Sequence, residues 1–410
     1  MLTVINHKRW LLFFLTGAVI FTACARRVVK PSVEKLTLFV SGDISSTDLA
    51  KMAGLVKMRQ NEEPVLWLAA GRVMLDKRLI ALSQGEAEIR MFEAAGVDAM
   101  VFMPEWLRFG LRRANWLIDQ ANLRVLCCNL DDTLGLPVAH PWMVKRIGGS
   151  GFGITAALVD SNILPLNVNG VRFVDAVYAG RRVLTLLRTR ADFNILVLPA
   201  GDSLNISNYD LVLTTGRDKI SCYQLTFVGN RLSDVVKTTV SLEGIEPLPE
   251  VKSTIDSIVE SIKAVADEPV IETRVRILPR VLTKAVVDGI LNLRLVDCFV
   301  YDSSAFVLDT ILSGMITKGQ LVNAFADPDR LVILRLEGER INRLQHQPDV
   351  KLAVRKGLPL GRLMARKVYQ VGTTTTFLKA HPEIPVSQVE LSERQLWEYA
   401  ADILQAAGKK

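Results

Sequence analysis

The stretch Leu36-Thr37-Leu38-Phe39-Val40-Ser41-Gly42-Asp43 decides how the first half of this chain is interpreted. Its apolar run predicts a strand over residues 36–40 that is buried in a core. Ser41 and Gly42 end the run, and Asp43 follows them directly. The stretch therefore predicts a buried strand that ends beside a carboxylate.

Apolar runs alternate with helical patterns from this strand onward. Helices are predicted over 47–59, 84–95 and 111–121, and strands over 65–70, 97–102 and 123–130. Because helices separate the strands, the pattern predicts βαβ units and a sheet with covered faces. Further strands are predicted over 183–187, 195–198, 211–214 and 220–240, the last with a turn at Gly229-Asn230. The first half thus mixes βαβ layers with antiparallel strands.

A boundary is predicted at 243–250, where Pro247 and Pro249 interrupt regular structure. The helix after it has Ser253 as its predicted N-cap. Its apolar face is formed by Ile255, Ile258, Val259, Ile262 and Val265. The second half is predicted to contain a helix over 282–291, strands over 298–301 and 331–336, a turn at Gly338 and a last helix from Ser392 to Ala406.

The composition is that of a packed globular protein. The chain has 410 residues, with 49% hydrophobic and 23% charged residues, too many for one core at about 100 to 200 residues per domain. The net charge of +7 is mild and favours small anions or anionic lipid as partners. The sequence contains no stripe of Lys and Arg interleaved with aromatic residues, so a nucleic acid polymer is not expected as a partner.

The amino terminus has the pattern of an export signal. Lys8 and Arg9 precede an uncharged apolar run over 10–23, which is shorter than the roughly 20 residues that a membrane-spanning helix needs. The run ends in Phe21-Thr22-Ala23-Cys24-Ala25, which resembles the lipobox of bacterial lipoproteins. The resemblance implies a lipid on Cys24 and a place in the bacterial cell envelope, on the periplasmic face of the outer membrane. An ordinary secretory signal and an uncleaved anchor remain open as alternatives.

Two segments carry a resemblance to a known family. One segment resembles a Gly-x-Ile-Thr segment followed by a strand-Gly-x-x-Ile turn, and it comprises Ser313 to Leu321, Phe325 and Leu331 to Ile341. The other resembles a Gly-x-Asp-Ala segment and comprises Ala94 to Met100. Both patterns are similar to the bacterial 5'-nucleotidase family, in which a calcineurin-like metallophosphoesterase domain precedes a 5'-nucleotidase C-terminal domain. The implied fold class is α/β and α+β, a layered αββα sandwich followed by a smaller domain.

The resemblance implies the following division of the chain. Residues 1–23 form the signal peptide, 24–35 a tether, 36–243 the metallophosphoesterase-like domain, 244–270 a linker and connecting helix, 271–385 the C-terminal-like domain and 386–410 a C-terminal helix.

The chemistry of that family needs two divalent metals, which bind the phosphate and activate a water. Such a site needs several His, Asp and Asn ligands at strand ends. At the matching positions, this chain has Asp43-Ile44-Ser45, Gly71-Arg72, Met103-Pro104-Glu105-Trp106, Leu198-Pro199-Ala200-Gly201 and Gly216-Arg217-Asp218-Lys219. Of the family's ligands only the acid at Asp43 survives as a vestigial position, so the sequence predicts no catalytic residue and no bound metal.

The second domain lacks the family's substrate loops as well. The phosphate-contacting loop falls at 302–307 without its Arg, and the base-stacking segment falls at 380–384.

Three positive charges replace the missing ligands. We predict that a metal-free anion pocket is formed by Arg72, Arg217 and Lys219, since guanidinium groups bind phosphate or carboxylate bidentately. The alternatives are solvated loop charges, or charges paired with Asp43 and Asp218.

The sequence therefore predicts a catalytically degenerate 5'-nucleotidase-like lipoprotein that binds a small anionic ligand or an envelope protein. An active metal-dependent phosphoesterase with a rearranged site, which would hold two divalent metals, and a lipid-anchored solute-binding protein remain alternatives.

Overall fold

The computed structural model describes residues 34–159, 170–228, 231–302, 313–325, 329–358, 363–381, 383–384 and 389–408. Predictions made for Cys24, the signal peptide, the Gly229-Asn230 turn and the loop at 303–307 fall outside these residues. No helix within the described ranges combines the length and the hydropathy needed to cross a membrane.

The first half of the chain contains fourteen described strands. They are β1 (Lys35–Ser41), β2 (Ile44–Ser45), β3 (Val65–Ala69), β4 (Val73–Met74), β5 (Ala99–Val101), β6 (Arg124–Leu126), β7 (Leu130–Asp132), β8 (Met143–Ile147), β9 (Ser150–Ala156), β10 (Val171–Phe173), β11 (Phe193–Val197), β12 (Leu211–Leu213), β13 (Ile220–Val228) and β14 (Arg231–Thr239). Its described helices are α1 (Ser46–Gln60), α2 (Lys77–Ser83), α3 (Glu86–Ala95), α4 (Leu111–Gln120) and α5 (Ala176–Leu187), with a 3₁₀ turn over Pro104–Phe109.

Two large sheets form the layers of the first domain, and β2-β4 and β7-β10 form two small two-stranded sheets beside them. The larger has the order β14-β13-β1-β3-β5-β6, and the smaller has the order β12-β11-β9-β8. Strands β1, β3, β5 and β6 run parallel, whereas β13 is antiparallel to β1. The βαβ units and the antiparallel strands predicted from the sequence therefore share one sheet.

The two sheets pack face to face through aromatic side chains. Phe152 and Phe193 of the smaller sheet meet Phe227 of the larger sheet, with ring centroids 6.0 Å and 4.5 Å apart. Helix α5 packs on the outer face of the smaller sheet, and α1 packs on β3 of the larger one. This arrangement is the αββα sandwich expected from the resemblance.

The second half begins with α6 (Pro249–Ala266), which packs against the first core through Val251, Ile255, Ile258 and Ile262. The remaining helices are α7 (Pro279–Asn292), α8 (Lys318–Asn323), α9 (Gly338–Gln345), α10 (Thr375–Ala380) and α11 (Leu396–Gly408). The strands are β15 (Pro269–Thr273), β16 (Cys298–Tyr301), β17 (Gly314–Thr317), β18 (Arg330–Glu337), β19 (Lys351–Val354), β20 (Val368–Thr374) and β21 (Val389–Gln395). A five-stranded sheet of order β19-β16-β20-β18-β21 holds a separate core.

Some sequence predictions for these elements are wrong. Residues 183–187 belong to helix α5 rather than to a strand, and Ser253 lies inside α6, whose N-cap is Leu248. Gly338 begins helix α9 instead of forming a turn. The predicted helix from Ser392 starts only at Leu396, because the preceding residues form β21 and pair with β18.

The predicted apolar strand over 123–130 is two short strands, β6 and β7, separated by Cys127, Cys128 and Asn129. These two cysteines, together with Cys222 and Cys298, are free and buried.

Candidate functional site

Four loops meet at the carboxyl ends of the parallel strands of the larger sheet. They comprise residues 42–43, 71–72, 200–201 and 215–219, and are called the strand-end loops below. The Gly42 N–H donates to Lys219 O at 2.9 Å, the Asp43 N–H donates to Arg217 O, and the Ala200 N–H donates to Ala70 O at 2.9 Å. Backbone hydrogen bonds therefore fix the spacing of the loops, whichever side chains they carry.

Two glycines allow these loops to approach so closely. A Cβ added at Gly42 would lie 2.8 Å from the Arg217 carbonyl carbon, and one added at Gly71 would lie 2.7 Å from Asp43 Oδ1. Real Cβ atoms do not come this close to other heavy atoms. Glycine at both positions is thus a requirement of the backbone packing.

Asp43 is held at the centre of the strand-end loops. Its Oδ1 accepts the backbone N–H of Arg72 at 3.0 Å. Since one carboxylate oxygen is committed to a main-chain amide, Asp43 helps to shape the loop that carries Arg72. The structure thus brings Asp43 and Arg72 together through backbone rather than through an ion pair.

The three cations singled out by the sequence, Arg72, Arg217 and Lys219, lie on the strand-end loops and are exposed. The side chain of Arg217 runs over Gly201, where an added Cβ would lie 3.3 Å from its Cγ, and the Lys219 side chain runs over Gly216. Within the described ranges, none of the three forms an ion pair with a carboxylate. They do not pair with Asp43 or Asp218, which was one of the alternatives.

The side chains present do not fit a pair of divalent metals. The strand-end loops offer two carboxylates, Asp43 and Asp218, and also carry Arg72, Arg217 and Lys219, whose charges repel cations. Among the described residues, no group of three or more His, Cys, Asp or Glu side chains is arranged to hold a metal ion. Two metals a few ångströms apart need several such ligands.

A buried carboxyl group that no sequence pattern indicated, Glu88, interacts electrostatically with Asp43 and Arg72 of the strand-end loops. Its side chain is on α3 and is 5% exposed, and its Oε2 accepts a hydrogen bond from Trp106 Nε1 at 3.1 Å. Burial raises the pKa of Glu88 to about 7, and the hydrogen bond from Trp106 opposes this rise. The negative charges of Glu105 and Asp43 raise the pKa further, whereas the positive charge of Arg72 lowers it. Glu88 therefore changes charge near neutral pH within electrostatic reach of the site.

The segment predicted to match a base-stacking loop has another role. The His381 ring lies against the Phe377 ring at a tilt of 31°, with centroids 4.2 Å apart, and its Nε2 lies 3.5 Å from Asp302 Oδ2. Its Nδ1 lies 3.1 Å from Glu383 Oε1. These contacts tie the segment to its own domain.

Comparison with known proteins identifies the fold. No protein-family model matches the chain, and no curated relative matches its sequence. Among solved structures, the chain is similar to a 5'-nucleotidase precursor from Thermus thermophilus, with 13% identity, a TM-score of 0.51 and coverage of 91% of this chain and 97% of that one. It is also similar to the NAD nucleotidase of Haemophilus influenzae, with 11% identity, a TM-score of 0.51 and coverage of 91% and 96%.

A third similar structure, a candidate 5'-nucleotidase from Staphylococcus aureus in complex with alpha-ketoglutarate, has 10% identity and a TM-score of 0.54, with coverage of 90% and 96%. At such identities the likeness concerns the fold. The chain has the two-domain α/β fold of these proteins, so the fold class predicted from the sequence and its resemblance to 5'-nucleotidases at the level of fold are confirmed.

Proposed function

We propose that this chain is a 5'-nucleotidase-fold protein that has lost metal-dependent hydrolysis and binds a small anion at the strand-end loops. The observation that supports the proposal most strongly is the identity of the residues that these loops present. Where hydrolysis would need a set of metal ligands, the loops hold two carboxylates, Asp43 and Asp218, and three cations. The fold survives this exchange because its loops are joined by main-chain hydrogen bonds.

Electrostatics favours an anion over a cation at this place. Arg72, Arg217 and Lys219 carry charges that no described carboxylate neutralises in an ion pair. Guanidinium groups bind phosphate and carboxylate oxygens through parallel N–H bonds, which gives them geometric selectivity as well as charge. A phosphate or a carboxylate is therefore the ligand class that these side chains fit.

Loss of hydrolysis is tested with a panel of 5'-nucleotides and the purified protein in the presence of Mn²⁺, Zn²⁺ or Mg²⁺. We expect no phosphate release above that of a mock preparation, from protein shown to be folded by circular dichroism. Release that disappears in Asp43→Ala would overturn the proposal and identify an active phosphoesterase with a rearranged site.

Anion binding is tested by calorimetric titration with inorganic phosphate and with AMP. We expect Arg72→Ala combined with Arg217→Ala to weaken binding at least tenfold. The matched control is Arg146→Ala combined with Arg231→Ala. This pair removes the same charge from β8 and from the start of β14, at the other end of the larger sheet from Ser41. Equal weakening by both pairs would show that only net charge matters, and would contradict a built site.

The location of the protein is a separate part of the proposal and rests on the sequence around Cys24. A lipid on this residue would hold the protein at a membrane. We expect Cys24→Ser to move the protein from the membrane fraction to the soluble fraction of an expressing bacterium, and to abolish labelling by a palmitate analogue. Labelling that persists in this variant would refute lipidation at Cys24.

A further inference from the structure

Helix α5 exposes a cationic face to solvent, while Val183 and Leu187 on its other side are buried against the smaller sheet. Residues spaced three and four apart lie on one side of a helix. The exposed side at this spacing comprises Tyr178, Arg181, Arg182, Thr185 and Leu186. Two more exposed arginines, Arg188 and Arg190, directly follow the helix. These seven exposed residues are called the α5 face below.

No described carboxylate neutralises the four arginines of the α5 face through an ion pair. The acidic residues that flank the helix in the chain are bound to main-chain amides instead. Asp175 accepts the Tyr178 N–H at 2.8 Å, and Asp192 accepts the Gly151 N–H at 2.7 Å. The α5 face therefore has a concentrated positive charge, which favours a negatively charged partner.

Two of the four arginines are held in place by other parts of the first domain. Arg188 Nη2 donates to Asn208 O at 3.3 Å. The Arg190 guanidinium lies 4.8 Å from the centroid of the Trp142 ring. A guanidinium that stacks on an indole can still donate N–H bonds from its edge. Less side-chain entropy is therefore lost when these arginines bind an anionic oxygen.

Large apolar side chains lie among these charges. Tyr178 is 64% exposed and Leu186 is 47% exposed. Protein–protein interfaces gather apolar side chains in a core from which charged residues are depleted. On the α5 face, the apolar side chains instead alternate with arginines along one helix. This pattern is typical of helices at a bilayer surface, where apolar side chains enter the headgroup region and arginines extend to the phosphates.

The end of the α5 face lies where the described chain begins. The Asp192 N–H donates to Gly151 O at 2.8 Å, so the loop after α5 meets the start of β9. Gly148, in the turn before β9, lines a cleft together with Glu34 and Lys35 at the start of β1. The strand-end loops follow the other end of β1. The arginines after α5 and the strand-end loops therefore lie at opposite ends of the first domain.

We propose that the α5 face docks on the surface of a bilayer that contains anionic phospholipid, with its arginines at the lipid phosphates and Tyr178 and Leu186 at the level of the headgroups. Residues 25–33 separate Cys24 from Glu34, so a lipid on Cys24 would hold this end of the protein near the same surface. The docking surface is made of residues on the folded domain, and its binding can be measured without the lipid.

The test is sedimentation with vesicles of the chain over residues 25–410, which keeps every described residue and lacks the lipid. One set of vesicles contains phosphatidylcholine alone, and the other contains phosphatidylcholine and phosphatidylglycerol in equal amounts. We expect binding to the mixed vesicles only. Added salt should weaken it, because salt screens the attraction between arginines and phosphates. Equal binding to both sets of vesicles, or binding to neither, would overturn the proposal.

Arg181→Ala combined with Arg182→Ala should weaken binding to the mixed vesicles by at least about fivefold, since each basic side chain adds to the attraction by an anionic surface. Alanine is a strong helix former, so the variant should keep α5 intact. The matched control is Arg72→Ala combined with Arg217→Ala, which removes the same charge from the strand-end loops and should leave vesicle binding unchanged. Equal weakening by the two pairs would show that only net charge matters, and would contradict a docking surface on α5.

Tyr178→Ala combined with Leu186→Ala keeps every charge and should weaken binding to the mixed vesicles by severalfold, because less apolar surface enters the headgroup region. A single-stranded oligonucleotide is the probe for another kind of anionic partner. If the oligonucleotide binds through Arg181 and Arg182 while the mixed vesicles do not bind, the face would belong to a nucleic acid and the proposal would fail. These outcomes are independent of anion binding at the strand-end loops and of lipidation at Cys24.

Discussion

The segment from Gly314 to Ile341 and the strand-end loops carry the main sequence signals of this chain, and the structure uses them in opposite ways. In the segment, side chains build the fold. Thr317 caps helix α8 in a capping box with Gln320, and Ile316 and Ile341 are fully buried. In the strand-end loops, main-chain hydrogen bonds and close glycines build the fold, while Arg72, Arg217 and Lys219 project into solvent.

This difference explains how the fold can remain while the chemistry changes. Side chains that pack or cap cannot be exchanged without loss of stability. Side chains at loop tips held by backbone can be replaced at little cost, including those that would bind metal. Substitutions of packed, capping and loop-tip residues should therefore differ in their effect on stability.

Glu88 should make the stability of the first domain depend on pH. Its pKa rises from 4.5 in the unfolded chain to about 7 in the folded protein, so the folded state binds more protons between these values. The contribution of Glu88 to the free energy of unfolding is fully present below pH 4.5 and is lost as pH rises through 7. The loss is on the order of 3 kcal/mol. Urea unfolding at pH 5 and pH 8, followed by tryptophan fluorescence, measures the loss.

Glu88→Gln should reduce this difference between pH 5 and pH 8, since the amide can still accept from Trp106 and does not ionise. The control is Glu62→Gln, an exposed residue paired with Arg59, which should leave the pH dependence unchanged. A Glu88→Gln protein with the full wild-type pH dependence would show that other groups are responsible.

Gly71→Ala should test whether the strand-end loops are held by backbone. The new methyl group would meet the main chain of Gly42 and Asp43, and overpacking of this kind costs about 2 kcal/mol. The measurement is the free energy of unfolding in urea. Gly151→Ala is the control, because its Cβ would be 3.4 Å from Ala191 Cα, an ordinary contact. Equal stability of the two variants would mean that the loops can separate freely.

Thr317→Ala should lower stability by about 1 kcal/mol, the usual cost of losing an N-cap. The Thr317 hydroxyl accepts the Gln320 N–H at 3.3 Å, and Gln320 Oε1 accepts the Thr317 N–H at 3.0 Å. Thr317→Ser retains the hydroxyl and serves as the control. A serine variant that is as unstable as the alanine variant would assign the effect to packing of the threonine methyl instead.

The fold was accessible from the sequence where its signals are local. The buried strand β1 and the helix α1 were predicted because an apolar run and an amphipathic period can be seen in a short window. The run Val183 to Leu187 was assigned wrongly, since five residues do not separate a strand from part of a helix. In α5, Val183, Leu184 and Leu187 are buried and Leu186 is 47% exposed, a helical spacing that only the longer segment shows.

The sites were accessible only in part. Motif spacing identified four candidate residues, Asp43, Arg72, Arg217 and Lys219, and the structure places all four on adjoining loops. Glu88 had no signal, because a charged residue in a helix is normally solvated. Its burial results from a tertiary contact with Trp106, which the local sequence does not encode.

Arg72→Ala should have the smallest effect on stability. Its side chain is exposed and forms no described ion pair, so the free energy of unfolding at pH 5 should change by less than about 0.5 kcal/mol. At pH 8 a further small loss is expected, because Arg72 favours the charged form of Glu88. The double variant with Glu88→Gln should lack this further loss, since the amide carries no charge. A loss above about 1 kcal/mol at pH 5 would make Arg72 a structural residue, and the contrast between packed side chains and replaceable loop tips would then fail at this position.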